Sequence, residues 1–341
     1  IILDKNKNKN SNLLIQHSAN SILKNNIKKI KNIFNCKNPT DSIAEIFYLV
    51  ANLYSTQKNY QLSNFYLKLS LFLNNKFLPN KTLLAENYYN QKKYLLSEIE
   101  YKSIKSIGPV YSWFASINLA IIMSDTKKKE KAAKSLETDF KSLSHVNFQH
   151  YYEIANFFKD NELFEKSIKY YSLALKEINK DHYLYPKILD RRGTSYERLN
   201  IWDKAEKDLL ESLEISPDQP HVLNYLAYSW VVKEINMDQS IEMLKKAVKL
   251  RNNDGYILDS LGWAYFMSKE YGDAEKFLQQ AVKILPMEPV INDHYADALW
   301  MLEKNIQARY FWKHVLNLES TEKDLKENVK EKLIFGITKK L

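Results

Sequence analysis

Residues 254–287 read DGYILDSLGWAYFMSKEYGDAEKFLQQAVKILPM. Leu261, Gly262 and Tyr265 fall close together, Ala274 follows Gly262 by twelve residues, Ala281 follows by seven more, and Pro286 by a further five. Two antiparallel helices pack tightly only where small side chains meet, and this spacing puts Gly262 opposite Ala274 at such a crossing. Ala281 leaves room for the next helix. Pro286 ends the second helix, because it lacks an N–H and clashes with the preceding turn. A helix–turn–helix of 34 residues cannot bury its apolar face alone, so it must stack on copies of itself.

Working outward, the same small residues recur in phase. The first-helix set is Ala51, Ala85, Ala155, Gly193, Ala227, Gly262 and Ala296; the second-helix set is Ser63, Ser97, Ala132, Ser167, Ala205, Ser240, Ala274 and Ala308. The second set is spaced 34, 35, 35, 38, 35, 34 and 34. This period predicts hairpins over 44–77, 78–111, 112–147, 148–185, 186–219, 220–254, 255–288 and 289–322. The third lacks a clear small residue in its first helix, the fourth runs four residues long through Asp181–Tyr185, and the sixth carries one extra residue near Glu234–Asn236. Pro109, Pro217 and Pro286 are read as repeat ends, and Pro186, Pro220 and Pro289 as helix openings, where a missing N–H costs nothing.

The two ends differ from the array. Residues 1–43 begin with the Asn/Lys-rich tract DKNKNKNSN, read as disordered or linker. Apolar residues then recur at helical spacing (Leu14, Ile22, Ile27, Ile30, Ile33, Phe34), which predicts one or two helices or a worn repeat, and Asn38-Pro39-Thr40-Asp41 reads as a helix N-cap. Residues 323–341 read as a capping helix and tail: Leu325, Val329 and Leu333 make one apolar stripe, Thr321 and Asp324 resemble a capping box, and Gly336 a C-cap. The uncharged run 106–124 is just long enough to span a bilayer, but it falls where a first helix is due and reads as a buried repeat helix. The sequence opens on Ile1 rather than Met, as expected of a start removed by processing or truncation.

Only 6 Gly and 8 Pro, with no alternating strand pattern, point to an all-α chain. Together these signs predict a right-handed superhelix of about eight helical hairpins with a C-terminal capping helix. The single cysteine, Cys36, excludes an internal disulfide framework. The net charge of +9 is uneven. Residues 1–43 carry eight Lys against two acids, whereas residues 186–341 carry 23 basic against 25 acidic residues. The clearest repeats are therefore close to neutral, which argues against nucleic acid as a partner. No Gly-rich phosphate loop, HExxH or GxSxG occurs, so neither cofactor nor metal nor enzymatic activity is expected. The one cluster that speaks for metal-assisted hydrolysis is Asp293, His294 and Asp297, and carboxylates near the start of a helix more often serve its dipole.

What remains is a groove. In a stack of such hairpins the first helices line the concave face. The residues expected to project there and hold a partner are Asn224, Tyr228, Tyr256, Asp259, Trp263, Phe266, Asp293, Asp297 and Trp300. Aromatic side chains beside hydrogen-bonding groups suit capture of an extended peptide or a partner helix. In the fourth and fifth hairpins the same positions are polar: Gln149, Tyr152, Asn156, Lys187, Asp190, Glu197 and Arg198.

By its phased residues, the chain resembles the tetratricopeptide-repeat superfamily over 44–322. The runs LNYLAYSWVVKEINMDQSIEMLKKAV, DGYILDSLGWAYFMSKEYGDAEKFLQQAV and PVINDHYADALWMLEKNIQARYFWKHVL are similar to a group of proteobacterial cell-envelope repeat proteins. That group includes a lipoprotein adaptor of a carboxyl-terminal processing protease. The resemblance implies a non-enzymatic scaffold or adaptor in the cell envelope or periplasm, with an envelope protease among its candidate partners and membrane association through a start not visible here. The alternatives are a cytoplasmic location and a tethering role, in which the convex face or the basic N-terminal segment docks on a complex or membrane surface. Ala227 departs from the glycine common at its position. The lysine–asparagine clamp of chaperone-binding members is absent: Tyr48 pairs with Asn52, and Tyr152 with Asn156.

Overall fold

The structure, a computed structural model, describes Leu13 and residues 38–337. Among these residues it contains 17 helices and no strand. The helices divide into two compact units, Ile1–Tyr183 and Leu184–Leu341. The division falls in the stretch that the repeat spacing marks as over-long.

In the first unit, α1 (Pro39–Thr56) pairs with α2 (Tyr60–Leu73), α3 (Leu78–Asn90) with α4 (Tyr94–Lys105), α5 (Pro109–Asp125) with α6 (Lys129–Lys141), and α7 (Phe148–Asp160) with α8 (Phe164–Lys176). In the second, α9 (Tyr185–Arg198) pairs with α10 (Trp202–Ile215), α11 (Pro220–Val232) with α12 (Met237–Leu250), α13 (Gly255–Met267) with α14 (Tyr271–Ile284), and α15 (Pro289–Met301) with α16 (Asn305–Asn317); α17 (Lys323–Phe335) then packs on α16.

Every phased small residue is buried at a helix crossing. At Gly262 an added Cβ would lie 2.5 Å from Leu278 Cγ and 3.1 Å from the Leu278 backbone nitrogen. A methyl group there has no room, so the crossing requires glycine. The third hairpin does have a small residue in its first helix. Ala120 is buried twelve positions before Ala132, hidden in the sequence among other small residues of α5.

The turns inside the hairpins share one geometry. Each places a single residue at positive φ five positions before the second-helix small residue: Lys58, Lys92, Lys127, Glu162, Asn200, Lys269 and Glu303. In the sixth hairpin both Glu234 and Asn236 adopt it, which absorbs the extra residue. Two backbone bonds close each turn. In the seventh, the Lys269 N–H donates to the Phe266 carbonyl and the Glu270 N–H to the Tyr265 carbonyl, both at 2.9 Å. Equivalent pairs occur in the other seven. This is the Schellman arrangement, which satisfies the last carbonyls of the first helix and normally recruits glycine.

Three sequence readings need correction. Pro109 opens α5 instead of ending a repeat, so the third hairpin starts before residue 112. Asn38 does cap α1, its side chain accepting from the Thr40 N–H, but α1 starts five residues ahead of position 44. At α17 the N-cap is Glu322, without a side-chain bond. Thr321 turns inward instead, its hydroxyl donating to the Val315 carbonyl at 2.6 Å. The apolar stripe of α17 does face the array: Val329 is fully buried, and Leu325 and Leu333 pack on the same core. Gly336 ends the helix at φ 71°, where a Cβ would run into the Trp300 indole. No helix among the described residues is long and apolar enough to cross a membrane. The run 106–124 forms most of α5, with Trp113, Ala115, Ser116, Ala120 and Ile122 buried. The helices expected within 1–37 lie outside the described residues, Leu13 excepted.

Candidate functional site

The nine groove residues of the second unit separate into two sets. Tyr256 is the most open, with 56% of its surface exposed, and its hydroxyl donates to Glu288 at 3.3 Å. Asn224, Tyr228 and Trp263 are half-buried on the first helices α11 and α13, Tyr228 and Trp263 at equivalent positions. The Asn224 Oδ1 is buried without a hydrogen-bond partner. Burial, with Asp259 nearby, raises the pKa of the Tyr228 phenol. These four side chains come from two successive first helices, Asn224 and Tyr228 from α11 and Tyr256 and Trp263 from α13, and Glu288 is the N-cap of α15.

The other set is closed. Asp259, Phe266, Asp293 and Asp297 are buried, which corrects the expectation that they project into an open groove. Successive first helices stack closely enough that positions facing the next helix lose their solvent. Asp259 meets His294 Nδ1 at 2.9 Å. The Trp263 ring stacks on the His294 ring at 4.0 Å between centroids and on Phe266 at 4.8 Å. Lys332, reaching in from α17, donates to both oxygens of Asp293 (3.0 and 2.8 Å) and both of Asp297 (2.9 and 2.7 Å). The Trp312 indole N–H also donates to Asp297, at 3.0 Å. Trp300 is half-buried against Trp312, beneath the Arg309 guanidinium, which lies 5.3 Å from its ring centroid. Arg309 in turn donates to the Leu333 carbonyl.

Electrostatics follows from this burial. Burial by itself would lower the His294 pKa, but Asp259, with Asp293 and Asp297 behind it, outweighs that and the pKa rises. For Asp297, burial and the adjacent Asp293 charge push the pKa up to about 6 against the pull of Lys332. The Lys332 pKa is raised, since its two carboxylates overcome the cost of its own burial. The Asp293/His294/Asp297 cluster is therefore spent on internal ion pairs. Among the described residues no group of three or more His, Cys, Asp or Glu is placed to hold a metal ion. Sequence reasoning missed Lys332, Arg309 and Trp312; the one signal for the first was an acidic pair at i, i+4 on an otherwise apolar helix, which demands a counter-charge.

In the first unit the corresponding polar positions are also engaged. Asn156 accepts from the Tyr171 hydroxyl at 2.7 Å, and Gln149 donates to Glu153 at 2.8 Å. Glu153 is raised in pKa by burial and accepts the Trp113 indole N–H at 2.6 Å.

No family model matches the chain. It is 27% identical over 181 residues to the TPR repeat-containing protein PA4667 of Pseudomonas aeruginosa, a match covering 53% of this chain and 30% of that protein. The matched region thus spans less than a third of the relative's length. Among solved structures, a tetratricopeptide repeat protein from Parabacteroides merdae superposes with a TM-score of 0.57 at 16% identity, covering 74% of this chain and 97% of that one. The tetratricopeptide protein TTC0263 of Thermus thermophilus gives a TM-score of 0.45 at 17% identity over 55% of this chain and 99% of its own.

Proposed function

We propose that this array of tetratricopeptide repeats is a non-enzymatic scaffold that holds a partner protein, as an extended peptide or a helix, on the first-helix face of its C-terminal unit. The observation that carries the reading is the row Tyr228, Tyr256 and Trp263 on α11 and α13: one exposed and two half-buried aromatic side chains on neighbouring first helices. Tyrosine and tryptophan offer large contact area at small entropic cost and dominate binding energy at interfaces. Trp300, Asp293 and Asp297 leave the proposed contact set and serve instead to seat α17. The finer proposal, resting on the sequence resemblance, is that the partner is a cell-envelope protein, a carboxyl-terminal processing protease among the candidates, and that the chain works in the envelope.

A second reading has its own observation. On the second helices of the first two hairpins, Phe65, Phe72, Leu95 and Ile99 are exposed, where the later hairpins carry Lys276 and Lys283. That surface would suit a tethering role. The test is a pull-down from an envelope extract with wild type, Tyr228→Ala/Tyr256→Ala and Phe72→Ser/Leu95→Ser, each verified as folded by circular dichroism. A protein retained by wild type and the Phe72/Leu95 variant, and weakened at least tenfold by the tyrosine variant (about 1.4 kcal/mol or more), supports the first reading. The reverse pattern supports the second. Equal retention by all three overturns both.

A further inference from the structure

We infer that the second-helix face of the first two hairpins is a docking surface for a lipid bilayer with anionic headgroups; the inference rests on the tethering reading above and names its partner. Six large apolar side chains stand open there: Leu62, Phe65 and Phe72 on α2, and Leu95, Leu96 and Ile99 on α4, from 41% exposed at Leu62 to 87% at Phe72. Helical geometry puts Phe65 and Phe72 on one side of α2, and Leu95 and Ile99, four apart, on one side of α4. The repeat phase shows what such positions hold elsewhere. Phe65 and Ile99 stand two positions after the second-helix small residue, where the third to seventh hairpins carry Lys134, Lys169, Lys207, Glu242 and Lys276. Leu62 and Leu96 stand one position before it, where those hairpins carry Lys131, Lys166, Lys204, Gln239 and Asp273. Packing within the array therefore does not call for apolar residues at these positions. Large apolar side chains clustered on an open surface mark a site of interaction.

Charge selects the occupant. Between Glu45 and Glu86 the chain has no acidic residue and four lysines, of which Lys58, Lys68 and Lys76 are exposed. Lys92 and Lys93 follow, both exposed, in the turn before α4. On α4 itself Glu98 is paired with Lys102 at 2.8 Å, and Glu100 is half-buried. A second copy docking by the same face would set lysine against lysine. Protein interfaces favour arginine and are depleted in lysine, and this chain has no arginine before Arg191. A lipid surface makes the opposite demand. Phenylalanine and leucine enter the boundary between headgroups and acyl chains, while lysine, on its long apolar stem, keeps the ammonium among the phosphates. Each such lysine adds attraction to an anionic leaflet.

Vesicle binding by the full chain tests this. In a Cys36→Ser background, Phe72→Cys carries the environment-sensitive fluorophore NBD; Lys283→Cys, at the same repeat position in the seventh hairpin, carries it as the control. The expected result is a blue shift at position 72 on vesicles of phosphatidylcholine mixed with phosphatidylglycerol, none there on phosphatidylcholine alone, and none at 283 on either. In co-sedimentation with the mixed vesicles, Phe72→Ser/Leu95→Ser leaves the charge unchanged and should weaken binding by about tenfold or more, because two apolar side chains no longer leave water. Vesicle binding that is equal in wild type and this variant would assign the attraction to lysines elsewhere and overturn the inference. A label at 72 already blue-shifted without vesicles would overturn it too, in favour of a cover from the chain itself or a second copy. If the vesicles do not bind, and the same variant loses a protein in the pull-down above, the lipid assignment falls and tethering stands with a protein as its partner. If the vesicles do not bind and no protein is lost, both fall.

Discussion

Replacing Lys332 with Met tests how the array is closed. The lysine side chain is 16% exposed, and the Asp293 and Asp297 side chains it bridges are 8% and 3% exposed. Methionine keeps most of the apolar stem of lysine and removes the charge. Two buried carboxylates then face each other without their cation, and breaking a buried pair in this way costs about 3–5 kcal/mol. Acid should relieve the loss. Without Lys332, one of the carboxylates takes up a proton well above the point at which wild type does. Wild-type Asp297 does so only near its raised pKa of about 6. Between pH 8 and pH 6 the variant thus carries one proton that wild type lacks, and each pH unit narrows the gap by about 1.4 kcal/mol per proton. The deficit should shrink by roughly 3 kcal/mol over that interval and no further below it. Because repeat arrays unfold piecewise, the readout is hydrogen exchange of α15 to α17 at several pH values, with urea unfolding as support. A deficit identical at pH 8 and pH 6, or one below about 1 kcal/mol at both, would refute the reasoning.

Gly262→Ala should destabilise the second unit by about 1–3 kcal/mol, since its methyl meets Leu278. Gly272→Ala, where nothing lies within 4 Å of the added Cβ, should stabilise by roughly 0.5–1 kcal/mol; urea midpoints of the two variants give the comparison. Lys269→Gly should stabilise by about 1 kcal/mol through relief of its positive φ, with a smaller gain for Asn200→Gly, because asparagine tolerates that region; equal midpoints for Lys269→Gly and wild type would contradict this. The pH dependence has a definite sign. His294 has a folded pKa above its unfolded value, so its contribution is complete below about pH 6.5 and is lost as pH rises through the folded pKa. Asp297 is also raised, so its contribution falls as pH climbs from 3.8 toward about 6. His294→Gln should flatten the stability profile above pH 6.5 and Asp297→Asn the profile below 6, as measured by denaturation across that range.

The fold was legible because close helix crossings admit only Gly, Ala and Ser, so the period survives wide drift elsewhere. Ala120 escaped because α5 also carries Ala115 and Ser116, which blur the phase. The turns escaped because Lys and Glu are poor residues for positive φ; stacking of the hairpins imposes that geometry, and local preference does not. The candidate site was legible only in part. Helical spacing places Tyr228, Tyr256 and Trp263 on one face, but it cannot say how closely the next helix approaches, and that distance decides whether Asp259 and Phe266 meet solvent or a neighbour. Lys332 lies 35 and 39 residues from its partners, on a helix with three other lysines, and nothing local distinguishes it from them.

The carboxylate pair beneath Lys332 bears on how such a chain can change length over time. Internal hairpins meet their neighbours mainly through apolar and small side chains, with single polar pairs such as Asp259 and His294 between them, so a duplicated copy inserted among them finds largely matching surfaces on both sides. The last hairpin has no such freedom. Any hairpin added after α16 would have to settle on Asp293 and Asp297, and unless it brought a cation to the place of Lys332 it would trap two uncompensated charges. The array is open to growth by duplication from within and closed to it at this end.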